Sequence, residues 1–540
     1  MSLIRLHNVS KRFESNLIFR DVFFRLSKGD RVGLIGKNGV GKTTILKLIL
    51  GQEEPTEGTV DVNDGLKIGY FSQFSELNGE MSILDVLEEL FADIHAIEED
   101  LFEIELALEE SPRDDELTRL LDKQAELLEE MDRREGWTYQ NRIDTVLDKL
   151  GFSDTYRKRP IDQLSGGWCN RAALARILLE EPDVLLMDEP TNYLDLEGLE
   201  WLEEWFKKLR GALIIVSHDR HFLDNVVNKL IEIENYHFQE YQGNFTQYIH
   251  KKRVRIKTLE RQFQHEEELL AFEAEAIVDR REARRDPSNA LKRRLSKIKK
   301  QVEPRPVDKI ITGIYNNLKV VNRLCQVEGI SKSYDHQAIF RDLQFEMHRG
   351  DRIVVIGPNG CGKTTLLKVM ADRELPDSGR IVWGKAAMFS YYNQMLEDLD
   401  PDDTVTHAVN IFQMAYFAPR KQVNQFLSLL QFSELDLEQK IGTLSGGQKA
   451  RVALAKCLLS GASVIILDEP TNHLDLTSTQ VMERALVNFP GAIVVASHDR
   501  FFIDKVATRL LVFEGEGRIR EVNGNWTIWQ AGGADEQNFQ

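Results

Sequence analysis

Two stretches of this chain carry the same short motifs in the same order, and that order constrains the fold more than any figure for composition. The first stretch reads GKNGVGKTT from Gly36 to Thr44, then Gln73, LSGGW from Leu164, LLMDEP ending at Pro190, and SHDR around His218. The second reads GPNGCGKTT from Gly357 to Thr365, then Gln394, LSGGQ from Leu444, IILDEP ending at Pro470, and SHDR around His498. Lys42 and Lys363 stand 321 residues apart, as do Gln73 and Gln394. Ser165 and Ser445 stand only 280 apart, as do His218 and His498. Copy one therefore holds a net 41 extra residues, the difference between 321 and 280, all between Gln73 and Ser165. At 540 residues the chain is too long for one core, and two duplicated units with additions account for the length.

Each glycine loop fits G-x-x-x-x-G-K-[ST], here Gly36, Gly41, Lys42 and Thr43, and Gly357, Gly362, Lys363 and Thr364. Each follows an apolar run that reads as a buried strand (Arg31-Val-Gly-Leu-Ile; Arg352-Ile-Val-Val-Ile) and precedes a helical pattern. Glycines, including Gly39 and Gly360, allow backbone angles that turn successive N–H groups onto phosphate oxygens. The helix N-terminus adds partial positive charge. Lys42 and Lys363 are placed to reach β- and γ-phosphates, with Thr43 and Thr364 as ligands of Mg²⁺. Asn38, Thr44, Asn359 and Thr365 complete the expected ATP cradle.

The strands at Asp183 and Ser463 end in Asp188-Glu189 and Asp468-Glu469. In such a pair the Asp suits the metal's hydration shell and the Glu suits polarising an attacking water. His218 and His498 each follow a further apolar strand, a placement that suits a γ-phosphate contact.

With the two LSGG turns, these motifs resemble those of an ABC ATPase domain, present twice. The resemblance implies that two such domains close head-to-tail over two ATP molecules. Ser445, Gly446 and Gly447 would then face the nucleotide held by Lys42, and Ser165, Gly166 and Gly167 the one held by Lys363. It implies Gln73 and Gln394 as further Mg²⁺ contacts, Phe13 and Tyr334 as adenine stackers, and turns at Leu194-Asp195 and Leu474-Asp475. Copy one departs from the pattern at Trp168, where Gln is usual.

The extra residues of copy one have periodicity and sign. Leu87, Leu90, Ile94, Ile97, Leu101, Ile104 and Leu108 recur at alternating spacings of three and four. Ser111-Pro112 interrupts the pattern, and Leu117, Leu121, Gln124, Leu128 and Met131 resume it. The expectation is an antiparallel helical hairpin projecting as an arm. From Asp85 to Glu135 there are 20 acidic and 5 basic side chains, so this segment carries −15 of the chain's net −18. Such an arm avoids RNA phosphates and suits a basic protein surface, or simply solvent.

Between the copies the sign reverses. From Ile277 to Lys300 ten basic residues face three acidic ones; Arg280, Arg281, Arg284, Arg285, Lys292, Arg293 and Arg294 are the RNA-contact candidates. With Leu291, Leu295, Ile298 and Val302 as a second apolar stripe, the segment reads as paired helices with a basic tip. No aromatic lies at that tip, so backbone contact is expected rather than base stacking.

The four cysteines are scattered without a CxxC pair, which removes zinc and iron–sulfur domains from the reading. No run approaches 18 apolar residues and the N-terminus lacks a signal peptide, so a cytoplasmic protein without a membrane partner is expected. Two ABC domains, an arm after the first Gln and a basic helical linker resemble the ABC-F family of translational ATPases. The expected fold is α/β, two ABC-type P-loop ATPase domains in tandem. Domain one spans 1–247 with the arm at about 83–137, the helical linker 248–310 and domain two 311–540. The resemblance implies an ATP hydrolase working as a monomer with an intramolecular ABC pair. Glu189, Glu469, His218 and His498 would be catalytic, with ATP and Mg²⁺ as cofactors. It implies binding at the ribosomal exit site, with the linker toward rRNA and the P-site tRNA and the arm toward the basic protein of the L1 stalk. An antibiotic-resistance role and a transporter ATPase subunit are the alternatives.

Overall fold

The computed structural model describes residues 2–14, 16–72, 79–109, 114–255, 257–258, 261, 322–334, 337–385, 387–393, 399–410, 420–472 and 474–532. Gln73, Gln394, the Ser111-Pro112 break and all seven RNA-contact candidates from Arg280 to Arg294 lie outside the described residues. Of the expected linker at 248–310, only 248–255, 257–258 and 261 fall within them. The chain divides into two compact units, Met1–Glu240 with Gly357–Cys361, and Tyr241–Ile356 with Gly362–Gln540.

Each unit is an α/β body built on a six-stranded sheet. In the first the order is Ile68–Phe71, Val184–Asp188, Ala212–Val216, Arg31–Gly36, Lys229–Glu234, His237–Gln242. The first five strands run parallel. They are short and almost wholly apolar because helices cover both faces of a parallel sheet. The second unit repeats the order with Phe389–Tyr392, Val464–Asp468, Ala492–Ala496, Arg352–Ile356, Arg509–Gly515 and Arg518–Asn523. A three-stranded antiparallel sheet accompanies each: Asn16–Ser27, Ser2–Phe13 and Glu57–Val62, and Gln337–His348, Arg323–Tyr334 and Ser378–Trp383. In the first unit Ile4, Leu6, Val22 and Leu26 of the small sheet share one core with Val32, Leu34, Val184 and Ile214 of the large one. Ile45, Leu46 and Ile49 of the helix Lys42–Ile49 fill the space between.

Strand register shows how the extra residues are absorbed. Leu6 pairs with Phe24 and Val60, and 321 residues on Val327 pairs with Phe345 and Ile381. Val184 pairs with Ala212, and 280 residues on Val464 pairs with Ala492. The two offsets meet inside the sheet, where Arg31 pairs with Leu213 and Arg352 with Ile493. The insertion therefore leaves every ladder in place. A one-residue slip would turn each apolar set to the wrong face, so register is strongly held.

The arm begins after a capped helix, Ile83–Glu88, whose Ser82 and Asp85 form a capping box. Helices Ala92–Glu109 and Asp114–Arg133 then pack on each other. They run antiparallel: Lys123 pairs with Asp100 at 3.6 Å, and Arg134 with Asp93 at 2.9 Å. Ile94, Ile97 and Ile104 are buried and Leu101 and Leu108 half-buried, as the first seam requires. The second seam differs from the expected one. Leu121 and Leu128 are exposed, and the inward row is Leu117, Leu120, Gln124, Leu127 and Met131. Both rows alternate threes and fours. The buried one is selected because Met131 ends it fully covered, close against Gly136 and Ile94 at the arm's base.

Candidate active site

The phosphate loop of the first unit joins strand Arg31–Gly36 to helix Lys42–Ile49. Gly39 and Gly41 take φ of 78° and 102°, in the left-handed region. At Gly41 an added Cβ would also lie 2.3 Å from Cγ2 of Ile18, so no other residue fits. The turn folds the Lys42 side chain back over the loop. Its Nζ donates to the carbonyls of Gly36 at 3.0 Å and Lys37 at 3.3 Å, and lies 3.5 Å from Nε2 of His218. Lys42 is buried, so its charge is held at the loop mouth. In the second copy of the loop Gly360 and Gly362 take φ of 80° and 110°, and a Cβ at Gly362 would collide with Ile339. Lys363 is buried likewise.

Thr43 opens its helix and donates from Oγ1 to Oδ2 of Asp188 at 2.7 Å; Thr364 donates to Oδ1 of Asp468 at 3.2 Å. Both carboxylates sit at the tip of a buried strand, and burial raises both pKa values against the pull of Thr43 and Lys42, or Thr364 and Lys363. Oδ2 of Asp468 is buried without a hydrogen bond. A hydroxyl and a carboxylate oxygen, hard donors with spare acceptor capacity, fit Mg²⁺.

Glu189 and Glu469 follow directly and are more enclosed. Burial pushes Glu189 up to about 8, despite nearby Lys42, and Glu469 to about 7, despite Lys363. Both take left-handed backbone angles, φ 53° and 46°. Each is pinned by its own N–H, which donates to the carbonyl of Val216 at 2.9 Å or of Ala496 at 3.0 Å on the next strand. Non-glycine residues in this region mark places where the surroundings over-determine the backbone. His218 stands over Glu189, and its backbone N–H donates to Oε2 at 3.3 Å. Its Nε2 is 3.2 Å from Oδ1 of Asn38. The first unit thus gathers Asn38, Lys42, Thr43, Asp188, Glu189 and His218 at one loop. A buried ammonium faces a metal-type carboxylate and a carboxyl able to take a proton from water.

The remaining candidates are the two rings, the second threonines and the signature turns. Phe13 and Tyr334 are exposed rings at strand ends with Lys11 and Lys332 over them at 4.8 and 5.4 Å. Thr44 and Thr365 lie in the first turn of their helices. Ser165 starts helix Gly166–Glu180, and Ser445 starts helix Gly446–Leu458. The turns differ chemically. Gln448 closes a capping box on Ser445, its Oε1 accepting from the Ser445 N–H and hydroxyl, each at 2.9 Å. Trp168 cannot do this, and Ser165 has no side-chain cap bond. Trp168 instead stacks on Tyr156 at 4.5 Å, meets Phe152 edge-on and takes Arg171 over its ring at 4.6 Å. Arg451, the counterpart of Arg171, lies over the Phe432 ring at 5.4 Å; sequence reasoning missed both, whose only signal was their shared place three residues past Trp168 and Gln448.

Among the described residues no helix is long and apolar enough to cross a membrane. The family model described as "ABC transporter" matches residues 19–192 and 340–472. The Energy-dependent translational throttle protein EttA of Mycobacterium tuberculosis is 34% identical over 538 residues, 99% of this chain and 95% of that protein. ABC transporter F family member 5 of Arabidopsis thaliana is 31% identical over 546 residues, covering 97% of this chain and 77% of its own. Among solved structures, the complex of archaeal ribosomal stalk protein aP1 and archaeal ribosome recycling factor aABCE1 contains a chain of similar fold. Its TM-score is 0.63 at 20% identity, over 95% of this chain and 89% of that one.

Proposed function

The chain belongs to the ABC-F family of ATPases, with two ATP-hydrolysing domains in one polypeptide, and from that premise we propose that it is a ribosome-associated translation factor. In this reading the two domains close head-to-tail over two ATP molecules. The turn Ser445-Gly446-Gly447 meets the nucleotide of Lys42, and Ser165-Gly166-Gly167 that of Lys363. Phe13 and Tyr334 stack on the adenines, as exposed rings can. Lys42 and Lys363 hold the phosphates. Thr43 with Asp188, and Thr364 with Asp468, would hold Mg²⁺, which would supply neutralisation of phosphate charge. Glu189 and Glu469 take the proton from the attacking water, and His218 and His498 orient the γ-phosphate.

Closure then presents a shape that fits the ribosomal exit site, with the linker toward the P-site tRNA and rRNA and the acidic arm toward the basic L1 stalk protein. ATP can drive closure only through contacts it makes better in the closed state, and contacts shared across both domains meet that condition. Hydrolysis releases the protein. The observation that carries this reading is the match along nearly the whole chain to a protein named a translational throttle, arm and linker included.

The test is the double variant Glu189→Gln, Glu469→Gln, incubated with ATP and sedimented with ribosomes. Co-sedimentation that needs ATP is expected; a variant that stays in the supernatant overturns the proposal. Ribosome profiling of a deletion strain, set against drug susceptibility on overexpression, separates a housekeeping role from resistance.

A further inference from the structure

The aspartate of the Leu-Asp-Leu turn sits in different surroundings in the two units. In the first, Oδ1 of Asp195 accepts from the N–H of Gly198 at 3.0 Å and caps helix Leu196–Lys208. In the second, Oδ1 of Asp475 makes the same cap with the N–H of Ser478 at 2.8 Å. Beyond the cap the partners differ, for Oδ2 of Asp195 accepts from the N–H of Asn359 at 3.3 Å. Nε2 of Gln431 donates to both oxygens of Asp475, each at 2.9 Å, and lies 3.3 Å from the Ser478 hydroxyl. Nη1 of Arg451 stands 3.9 Å from Oδ2. Asp475 is sealed from solvent, whereas Asp195 is half-buried.

The backbone at Gln431 makes this cage more than a chance contact. Gln431 follows helix Arg420–Leu429, where its N–H bonds back to Ser428 and that of Phe432 to Leu427. The matching residue 280 positions earlier is Gly151, which closes helix Tyr139–Lys149 with the same two bonds. Gly151 has φ 81° and Gln431 has φ 67°, a conformation that suits glycine at a helix end and strains a side chain. The second unit thus keeps a glutamine where a glycine fits better, and that side chain's amide is spent on Asp475. Copy one also lacks the serine, having Gly198. Its arginine, Arg171, lies over Trp168, bonds the carbonyl of Leu150 at 3.0 Å and still feels the charge of Asp195, as Arg451 does that of Asp475.

We propose that Gln431 is a positioning residue for ATP hydrolysis: from the end of helix Arg420–Leu429 it locks the Asp475 turn through both carboxylate oxygens, a hold that Gly151 cannot give Asp195. Arg451 belongs to helix Gly446–Leu458, so the Ser445 turn and the Asp475 turn move together. The consequence for the two nucleotides rests on the head-to-tail reading above. The turns held with Gln431 meet the ATP of Lys42 and Glu189; the turns without a glutamine meet that of Lys363 and Glu469. Preorganised groups need no rearrangement at the moment of reaction, so the lock favours chemistry at Glu189.

The test measures single-turnover formation of ADP by the full chain, with Gln431→Gly and Gln431→Ala each placed in two backgrounds. Glu469→Gln leaves Glu189 as the working base, and Glu189→Gln leaves Glu469. Both substitutions are expected to slow ADP formation about tenfold in the Glu469→Gln background. ATP half-saturation should stay within about twofold, and the rate in the Glu189→Gln background should be unchanged. Glycine relieves the positive φ and alanine does not, so the two variants differ in melting temperature. Rate losses that follow melting temperature, that are equal in both backgrounds, or that are absent overturn the proposal. A loss confined to the Glu469 site keeps Gln431 as the positioning residue and overturns the head-to-tail arrangement instead.

Discussion

Nε2 of His218 lies 3.4 Å from Oε1 of Glu189, and Nε2 of His498 lies at the same 3.4 Å from Oε1 of Glu469. The pair is set by the backbone: each glutamate ends a parallel strand in a left-handed turn, and each histidine ends the neighbouring strand. A carboxyl so placed acts on a water, while the lysine and threonine act on phosphate and metal. Changing Glu189 and Glu469 together to Gln should lower kcat by about 10²- to 10⁴-fold with ATP still bound. Hydrolysis and equilibrium nucleotide binding are measured on the same variant. Equal loss of both would remove the glutamates from the chemical step.

The raised glutamates make rate and stability depend on pH in opposite senses. A base must be unprotonated to accept a proton, so kcat/KM should rise as the pH passes through about 7 to 8. The ordinary carboxyl value is 4.5, and the folded values lie above it. The stability these carboxyls contribute is therefore full below pH 4.5 and is lost as the pH climbs through about 7 to 8. Melting of the nucleotide-free protein between pH 5 and 9 should show a decline that the double Gln variant lessens, by about a few degrees.

Gly41→Ala and Gly362→Ala should destabilise their own units. Each places a Cβ at a positive φ and against an isoleucine, Ile18 or Ile339. A cost of about 2–3 kcal/mol is expected from strain and overpacking together. Calorimetry of each variant, with nucleotide affinity alongside, checks this. An alanine variant that melts and binds like the parent would show that the loop yields more than its packing suggests.

Thr43→Ala removes the hydroxyl that bonds Asp188 at 2.7 Å. Affinity for ATP should become more dependent on Mg²⁺ concentration, with a drop of about tenfold or more at low Mg²⁺. Titrations with and without the metal distinguish this from a general loss of binding.

The arm should be separable from the ATPase. Replacing 92–133 with a short turn leaves all the strand pairings of the first sheet untouched, as the second unit's sheet shows by forming without them. Basal ATP hydrolysis should stay within about twofold. A milder probe is Met131→Ala, which opens a cavity at the arm's base and should cost about 2–4 kcal/mol locally. Limited proteolysis should then cut the arm first and spare the ATPase unit.

Much of the site was legible because its chemistry is carried by the backbone. A loop that must turn N–H groups onto phosphate needs glycines at set places and a lysine at the helix start, so Gly36 to Thr43 can be read by spacing alone. Asp188, Glu189 and His218 were legible as strand ends, since an apolar run that stops at a charge exposes that charge at the sheet's edge. The arm's first seam was legible from its period. The second seam was not, because Leu120 and Leu121, and Leu127 and Leu128, offer two rows of equal period, and only packing at Met131 selects one. The partners of Trp168 and Gln431 were not legible either. Tyr156 and Asp475 reach them through space from separate elements, 12 and 44 residues away.

By itself, the order of the motifs determined a duplicated ATPase and the place and charge of its insertion, because spacing along a chain is preserved however the chain folds. Tertiary structure alone decided what holds each Asp turn. Signature residues Trp168 and Gln448, and helix ends Gly151 and Gln431, differ by single letters. Their effect depends on what they meet, Tyr156 for Trp168 and Asp475 for Gln431, and only packing brings those groups within reach.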